Sequence, residues 1–307
     1  MNAKAIMKAA LLVYCVFGVM LSCAQDVPLR KEGRLNMGYY FYSINETVNR
    51  ADVEVTLNFW AKDLFEMEGK KHNFTITSSK ATLYEDILAM KHDFINGELD
   101  MIIAPPMLIA KYFKRSSLMD GFMGVLEDKK SEYLYLIVNA DKNINSIRNL
   151  SGKRLVIQAH DETAEIFLDR LVLKEFKKSY KEINLTLQNQ KKSNRIVLDV
   201  FFKNADAAVV YGSAYDTMVE LNPQIKNKVK ILANYPLKSK NFSYFRRDYP
   251  LIKELNKAAI TFENTPRGKQ ILEIFKTPNI DYCKVNDLDV FDHLYKDYLD
   301  LKEQAGK

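Results

Sequence analysis

The sequence predicts an α/β fold of two lobes, each a mostly parallel sheet flanked by helices. Short apolar strands and amphipathic helices alternate along the chain; the alternation stops at a polar stretch, Asn139 to Asn149, and restarts after Gly152. Parallel neighbours need a crossover connection and the crossover is usually a helix, so β-α-β order implies parallel strands. With hydrophobic residues at 47% of 307, the chain holds enough apolar material for cores of that size.

Residues 1–24 have the layout of a secretory leader: Lys4 and Lys8, an apolar run from Ala9 to Leu21, then Ser22-Cys23-Ala24 with small residues at a cleavage site. The run is shorter than the ~20 residues that cross a hydrocarbon core. Cleavage after Ala24 would leave Gln25 first. The alternative reads Met20-Leu21-Ser22-Cys23 as a lipobox and places a lipid anchor on Cys23. Either product is periplasmic. Cys15 and Cys23 fall in or beside the leader, so the mature chain keeps Cys283 alone, makes no internal disulfide and must be held by its own core.

The first lobe begins with a strand from Arg34 to Tyr40 and a helix through Val53, Leu57, Trp60, Leu64 and Phe65, spaced near 3.6 residues. A strand from Phe74 to Ser78, a helix from Thr82 to Ile95, the turn Asn96-Gly97 and an apolar strand from Leu99 to Ala104 follow, closed by Pro105-Pro106. Strands near Met119 to Leu126 and Tyr133 to Val138 come next. After Leu150-Ser151-Gly152-Lys153 the second lobe runs strand Arg154 to Gln158, helix Thr163 to Phe176, strand Ile183 to Leu187, helix Asn194 to Phe202, strand Ala207 to Tyr211 and helix Ala214 to Leu221. Strand Val229 to Ala233 and Tyr235-Pro236 lead back, and helices Leu251 to Phe262, Arg267 to Phe275 and Leu288 to Leu301 finish the first lobe. The expected limits are 25–138 with 236–307 for the first lobe and 139–235 for the second.

The formal net charge of +6 falls to +4 once Lys4 and Lys8 leave with the leader, and the other basic residues are interleaved with acids. No concentrated basic face or nucleic-acid module is present, so no nucleic-acid partner is expected. Gly-x-Ser-x-Gly, His-Glu-x-x-His and a Gly-Lys-Ser/Thr phosphate loop are all absent, and the four histidines have no ligand-spaced partners. The expectation is no enzyme, no cofactor and no metal. An acid/base pair of His160 with Glu162 on the same fold is the weaker, catalytic alternative.

Three segments, in this order, carry a resemblance: Asp86-Ile87-Leu88 through Asn96-Gly97-Glu98-Leu99-Asp100-Met101-Ile102; Ile147-Arg148-Asn149-Leu150-Ser151-Gly152-Lys153-Arg154-Leu155; and Asn204-Ala205-Asp206-Ala207-Ala208-Val209-Val210. Together they resemble the type 2 periplasmic solute-binding proteins, in the phosphate/phosphite/phosphonate (PhnD-like) branch of ABC transporter substrate-binding proteins. The resemblance implies two lobes joined by two crossover segments and a small-molecule ligand in the cleft between them. It also implies a monomer that delivers this ligand to a membrane permease, or reports it to a sensor receptor such as a histidine kinase or chemoreceptor. Hinge closure is expected near Asn139 to Lys142 and Tyr235 to Lys238.

In open α/β sheets ligands sit beyond the carboxyl ends of strands, so the strand-end loops supply the candidate site. Tyr39 and Tyr40 end the first strand, where the family presents a tyrosine; each reads equally as a half-buried core ring. After Gln158 the loop Ala159-His160-Asp161-Glu162-Thr163-Ala164 enters a helix, where phosphonate binders carry a Ser-Thr-Ser-Gly anion cradle. Only Thr163 resembles that run, and Asp161 and Glu162 place negative charge there. Asp161 also reads as a helix N-cap, with Glu162 in the favourable first turn, and His160 as an exposed strand end. Tyr211 and Ser213 end the third strand, Ser213 also reading as a cap. Ser79, in Ser78-Ser79-Lys80 before Thr82, would bind an anionic group or cap a helix. Met107 stands about where the family has a tyrosine, and would face a partly apolar ligand or pack a helix.

Overall fold

Leu35 and Met37 are buried on one face of the first strand, β1 (Lys31–Tyr40), while Tyr40 is buried on the other, so both sides of this sheet are covered. The computed structural model describes residues 30–43, 50–125, 131–274 and 279–306; the leader, with Cys15 and Cys23, lies outside them. After β1 come α1 (Arg50–His72), β2 (Phe74–Tyr84), α2 (Ile87–Ile95), β3 (Met101–Ala104), α3 (Pro106–Tyr112), β4 (Leu118–Met119) and β5 (Gly121–Val125). The middle of the chain forms β6 (Glu132–Asn139), β7 (Arg154–Gln158), α4 (Glu162–Phe176), β8 (Thr186–Gln190), α5 (Ser193–Phe201), β9 (Ala207–Tyr211), α6 (Gly212–Leu221), α7 (Gln224–Lys228) and β10 (Val229–Leu237). It ends with β11 (Phe242–Arg246), α8 (Ile252–Phe262), α9 (Pro266–Ile274), β12 (Asn279–Cys283) and α10 (Asp289–Ala305).

Two sheets result, one in each lobe. The first has the order β12-β5-β11-β3-β1-β2, with β4 also on β11; the second has the order β10-β6-β9-β7-β8. β1 and β3 are parallel, as are β7, β8 and β9, but β11, β5 and β12 pair antiparallel, and so do β6 and β10. The sheets are therefore more mixed than the alternation implied. The antiparallel strands gather at the crossings, with β5 and β6 flanking the passage out of the first sheet and β10 and β11 the return.

The Tyr133 to Val138 strand, expected in the first lobe, pairs as β6 with β9 and β10 of the second. The chain thus passes between sheets after Val125 and returns between Leu237 and Phe242. Asn139 to Lys142, expected at the hinge, lies inside the second lobe: Asn139 is buried and its Nδ2 donates to the Val200 carbonyl at 2.8 Å. Tyr235 is likewise within β10, while Lys238 stands at the return crossing. A buried apolar strand satisfies either sheet, and periodicity does not choose between them.

β2 is longer than expected and carries Ser78, Ser79, Lys80 and Thr82 as strand residues. Ala81 and Leu83 alternate into the core, and Asn58 of α1 grips the strand: Ala81 N–H donates to Asn58 Oδ1 at 2.8 Å and Asn58 Nδ2 donates to the Ala81 carbonyl at 3.1 Å. The helix starts only at Ile87, capped by Asp86, whose side chain accepts from Leu88 N–H.

Two aspartates from the resemblance segments do the same job in the two lobes. Asp100 precedes β3, accepts the Asn36 N–H of β1 at 2.9 Å and pairs with Arg246 at 3.3 Å. Asp206 precedes β9, accepts the Arg154 N–H of β7 at 3.0 Å and pairs with Lys142 at 3.2 Å and Arg154 at 3.4 Å. Each carboxylate ties a strand start to its parallel neighbour and so fixes the register. These two aspartates of the recognisable motifs are fold residues, set away from the strand ends where ligands sit.

The lobes meet over one apolar cluster that runs from Tyr40, Met107 and Phe242 of the first to Leu134, Phe167 and Tyr211 of the second. α10 packs on both α3 and α4. Its Asp289 and Asp292 pair with Arg115 of the first lobe, and its Asp297 with Arg170 of the second.

Candidate ligand-binding site

Three strand ends converge where the lobes face each other. From the first lobe, β1 ends in Tyr40 and the chain turns through Phe41 to Ser43. Tyr40 is 9% exposed and meets Tyr42 edge to face, with ring centroids 5.7 Å apart. Burial first, then the nearby Tyr42, Glu162 and Asp86, push its hydroxyl up to about 12, so it remains a neutral donor. Tyr39 points to the opposite face of β1, into the cluster with Leu35 and Met37. The two tyrosines that sequence could not separate are thus divided by strand alternation.

From the second lobe, β7 leads through His160 into α4. His160 has a φ of 61°, a left-handed turn that costs a non-glycine residue roughly 1 kcal/mol. Its imidazole lies flat on the Tyr42 ring of the first lobe, with centroids 3.9 Å apart and planes 16° from parallel. Asp161 caps α4, accepting the Ala164 N–H at 3.0 Å. Desolvation raises the Asp161 carboxyl above the usual range, against the bonds it accepts from Ala164 and the Tyr211 hydroxyl and the charge of Lys240. Glu162, in the first turn, pairs with Lys111 of α3 across the lobes.

β9 ends in Tyr211, 8% exposed, whose hydroxyl bonds with both Asp161 and Thr163 and is pushed well above its ordinary value by burial and by Asp161 and Glu132. Ser213 is not the cap of α6. It is the second helical residue, and Glu132 at the start of β6 holds it twice: Ser213 N–H donates to Oε1 at 3.0 Å and Ser213 Oγ donates to Oε2 at 2.6 Å. Glu132 is therefore the group that caps this helix, and it is almost fully buried.

The structure brings Tyr40, His160, Asp161, Glu162, Thr163, Tyr211 and Ser213 to this junction. Ser79 sits within β2, five residues before the strand ends, and caps nothing; Met107 is fully buried in the shared core, a packing residue of α3. Four participants were not anticipated: Tyr42, Lys111, Glu132 and Lys240. Tyr42 carried a signal, two residues beyond Tyr40 on the same loop. Among the described residues no group of three or more His, Cys, Asp or Glu side chains could hold a metal ion. Nor, among them, is any helix long and apolar enough to cross a membrane.

Two α/β lobes, two crossings and a junction lined by strand ends define the type 2 periplasmic binding protein fold. Solved structures share it at low sequence identity. A Xanthomonas citri protein bound to ATP is 12% identical, with 88% of this chain and 98% of that chain covered and a TM-score of 0.63. PhnD1 from Prochlorococcus marinus in complex with methylphosphonate is 13% identical, with 87% and 98% covered and a TM-score of 0.59. A binding protein component of an ABC phosphonate transporter from Pseudomonas aeruginosa is 13% identical, with 89% and 88% covered and a TM-score of 0.58. No curated protein matches in sequence. Residues 75–284 match the model of the ABC transporter phosphonate periplasmic substrate-binding proteins, and the chain belongs to that family. It is a substrate-binding protein for a small molecule and a membrane permease, and not an enzyme.

Proposed function

We propose that this protein captures a small solute between its lobes outside the cytoplasm and hands it to its permease, with the family's anion cradle replaced by the acidic loop His160-Asp161-Glu162. The observation that carries this reading is the pair of contacts that bridge the lobes at the strand ends: the Tyr42–His160 stack and the Lys111–Glu162 ion pair. Both join groups that must part if the lobes open and meet again when they close, so the residues lining the cleft also set the closing equilibrium. Tyr40 and Tyr211 sit beside these contacts and offer ring faces to a guest. The lobe limits that go with this reading are the crossings after Val125 and after Leu237.

A solute that binds only the native state raises its unfolding free energy by about 2.7 kcal/mol at a hundred times its Kd. For a chain of this size that is a rise in Tm of about 5 °C. The purified chain is expected to show such a rise with at least one member of a panel of phosphonates, phosphite, sulfonates, amino acids and small cations. A flat panel accompanied by turnover of any member would contradict the reading.

A further inference from the structure

Three helices open toward the cleft, and the chain has placed a carboxylate of its own on each. Asp86 caps α2, Asp161 caps α4 and Glu132 holds the start of α6; the N–H groups of Leu88, Ala164 and Ser213 donate to them at 2.8, 3.0 and 3.0 Å. An oxyanion draws on such helix-terminal donors. Here one N–H of each start is already given to a carboxylate, and the incoming charge would meet those carboxylates at close range. What the cleft still offers is acceptor oxygens and ring faces.

One cation is already seated there. Lys240, on the return crossing between the lobes, holds Nζ 4.6 Å from the centroid of the Tyr211 ring and 3.8 Å from Glu132 Oε2. Its side chain is 40% exposed, against 2% for that of Glu132, so the ammonium has a path to water that the carboxylate lacks. An ammonium over a tyrosine face beside a buried carboxylate is the geometry by which proteins recognise amines and quaternary ammonium groups. The other ammonium at the junction, Lys111, is matched by Glu162.

We propose that the cleft takes a small organic cation, an amine or quaternary ammonium, whose charged head replaces the Lys240 ammonium between the Tyr211 ring and Glu132; this rests on the solute-binding reading above. Lys240 is then a tethered occupant. It compensates the buried Glu132 charge when no solute is bound, and its withdrawal opens a ring face and a carboxylate together.

Isothermal titration of the purified chain with choline, ethanolamine and putrescine, and separately with methylphosphonate and phosphite, tests this. At least one of the three cations is expected to bind. Lys240→Met should bind it roughly tenfold more tightly, because the internal competitor is gone, and Glu132→Gln at least tenfold more weakly, because the carboxylate charge facing the head is gone. Glutamine keeps an amide oxygen to accept the Ser213 N–H, so that variant retains the hold on α6. Binding of methylphosphonate or phosphite with none of the cations would overturn the cation assignment and leave the solute-binding reading standing. Weaker cation binding by Lys240→Met would also overturn it. No heat from any of the five probes, with wild type and Lys240→Met alike, would overturn the assignment and count against solute binding too.

Discussion

Replacing Asp206 with alanine is expected to lower the unfolding free energy by about 3 kcal/mol, the low end of the cost of breaking a buried charge pair. The low end applies because Arg154 and Lys142 are 44% and 35% exposed and regain water once the carboxylate is gone. The Arg154 N–H does not recover as easily: it sits at the start of β7 beside β9, and loses its acceptor. Burial alone would raise the Asp206 carboxyl, but the Arg154 N–H, the Arg154 guanidinium and Lys142 outweigh it and hold it below the ordinary range. The sign follows from linkage. A group depressed in the native state contributes stability above its unfolded pKa of about 4, and loses it as pH falls through the native value. Urea unfolding at pH 7 should therefore show the full gap between wild type and Asp206→Ala, and unfolding near pH 3 a smaller one. An equal gap at both pH values, or one under about 1 kcal/mol at pH 7, would show that Asp206 is not the register pin described here.

Replacing Lys111 with methionine is expected to shift the balance between closed and open lobes toward the open state by roughly tenfold. The Lys111–Glu162 pair joins the lobes with side chains 24% and 30% exposed, so solvent screens part of it. A charge-assisted hydrogen bond of this kind contributes about 1.5 kcal/mol after screening, which is close to a factor of ten. Burial works against the Lys111 ammonium, yet Glu162 and Tyr112 more than offset it and raise its pKa, so the ammonium stays charged through the neutral range. The Lys111 ammonium also lies over the Tyr112 and Tyr295 rings, 4.8 and 5.7 Å from their centroids; methionine removes those contacts too, but both rings belong to the first lobe and move with Lys111, so the change across the lobes is the lost ion pair. Single-molecule energy transfer between a dye on each lobe reads the ratio directly. An unchanged ratio in both Lys111→Met and Glu162→Gln would remove this pair from the closing equilibrium.

The parts of the fold that were legible are those with local signals. β7 and β9 occupy the expected residues because each is an apolar run with clear punctuation: Gly152-Lys153 before Arg154, and Asp206 before Ala207 with Gly212 after Tyr211. Gly152 has a φ of 73°, a backbone angle that suits glycine at such a turn. β11 and β12 were not legible. Phe242 to Arg246 follows a polar segment closely and carries no expected element, although its aromatic residues are buried between β3 and β5.

The site divides in the same way. Its loops could be read off the ends of predicted strands, and Asp161 performs the N-cap role its position suggested. Its cross-lobe partners could not. Lys111 reads as the solvated side of a helix and Glu132 as the last polar residue before a strand; only the juxtaposition of distant elements makes one an interlobe cation and the other a helix cap. The cap reading of Ser213 fails for that reason, since a cap supplied from 81 residues away leaves no local mark.

The claim on which the account turns is that solute is held where the lobes meet, and that holding it changes how they sit. Spin labels placed by cysteine substitution at Lys80 in β2 and Lys192 before α5, both exposed, report this separation by double electron–electron resonance, with Cys283 buried and out of reach of the labelling reagent. The distance distribution is expected to shift and narrow to a single population when the solute that raised Tm is added at saturation. One distance, identical with and without that solute, would contradict it.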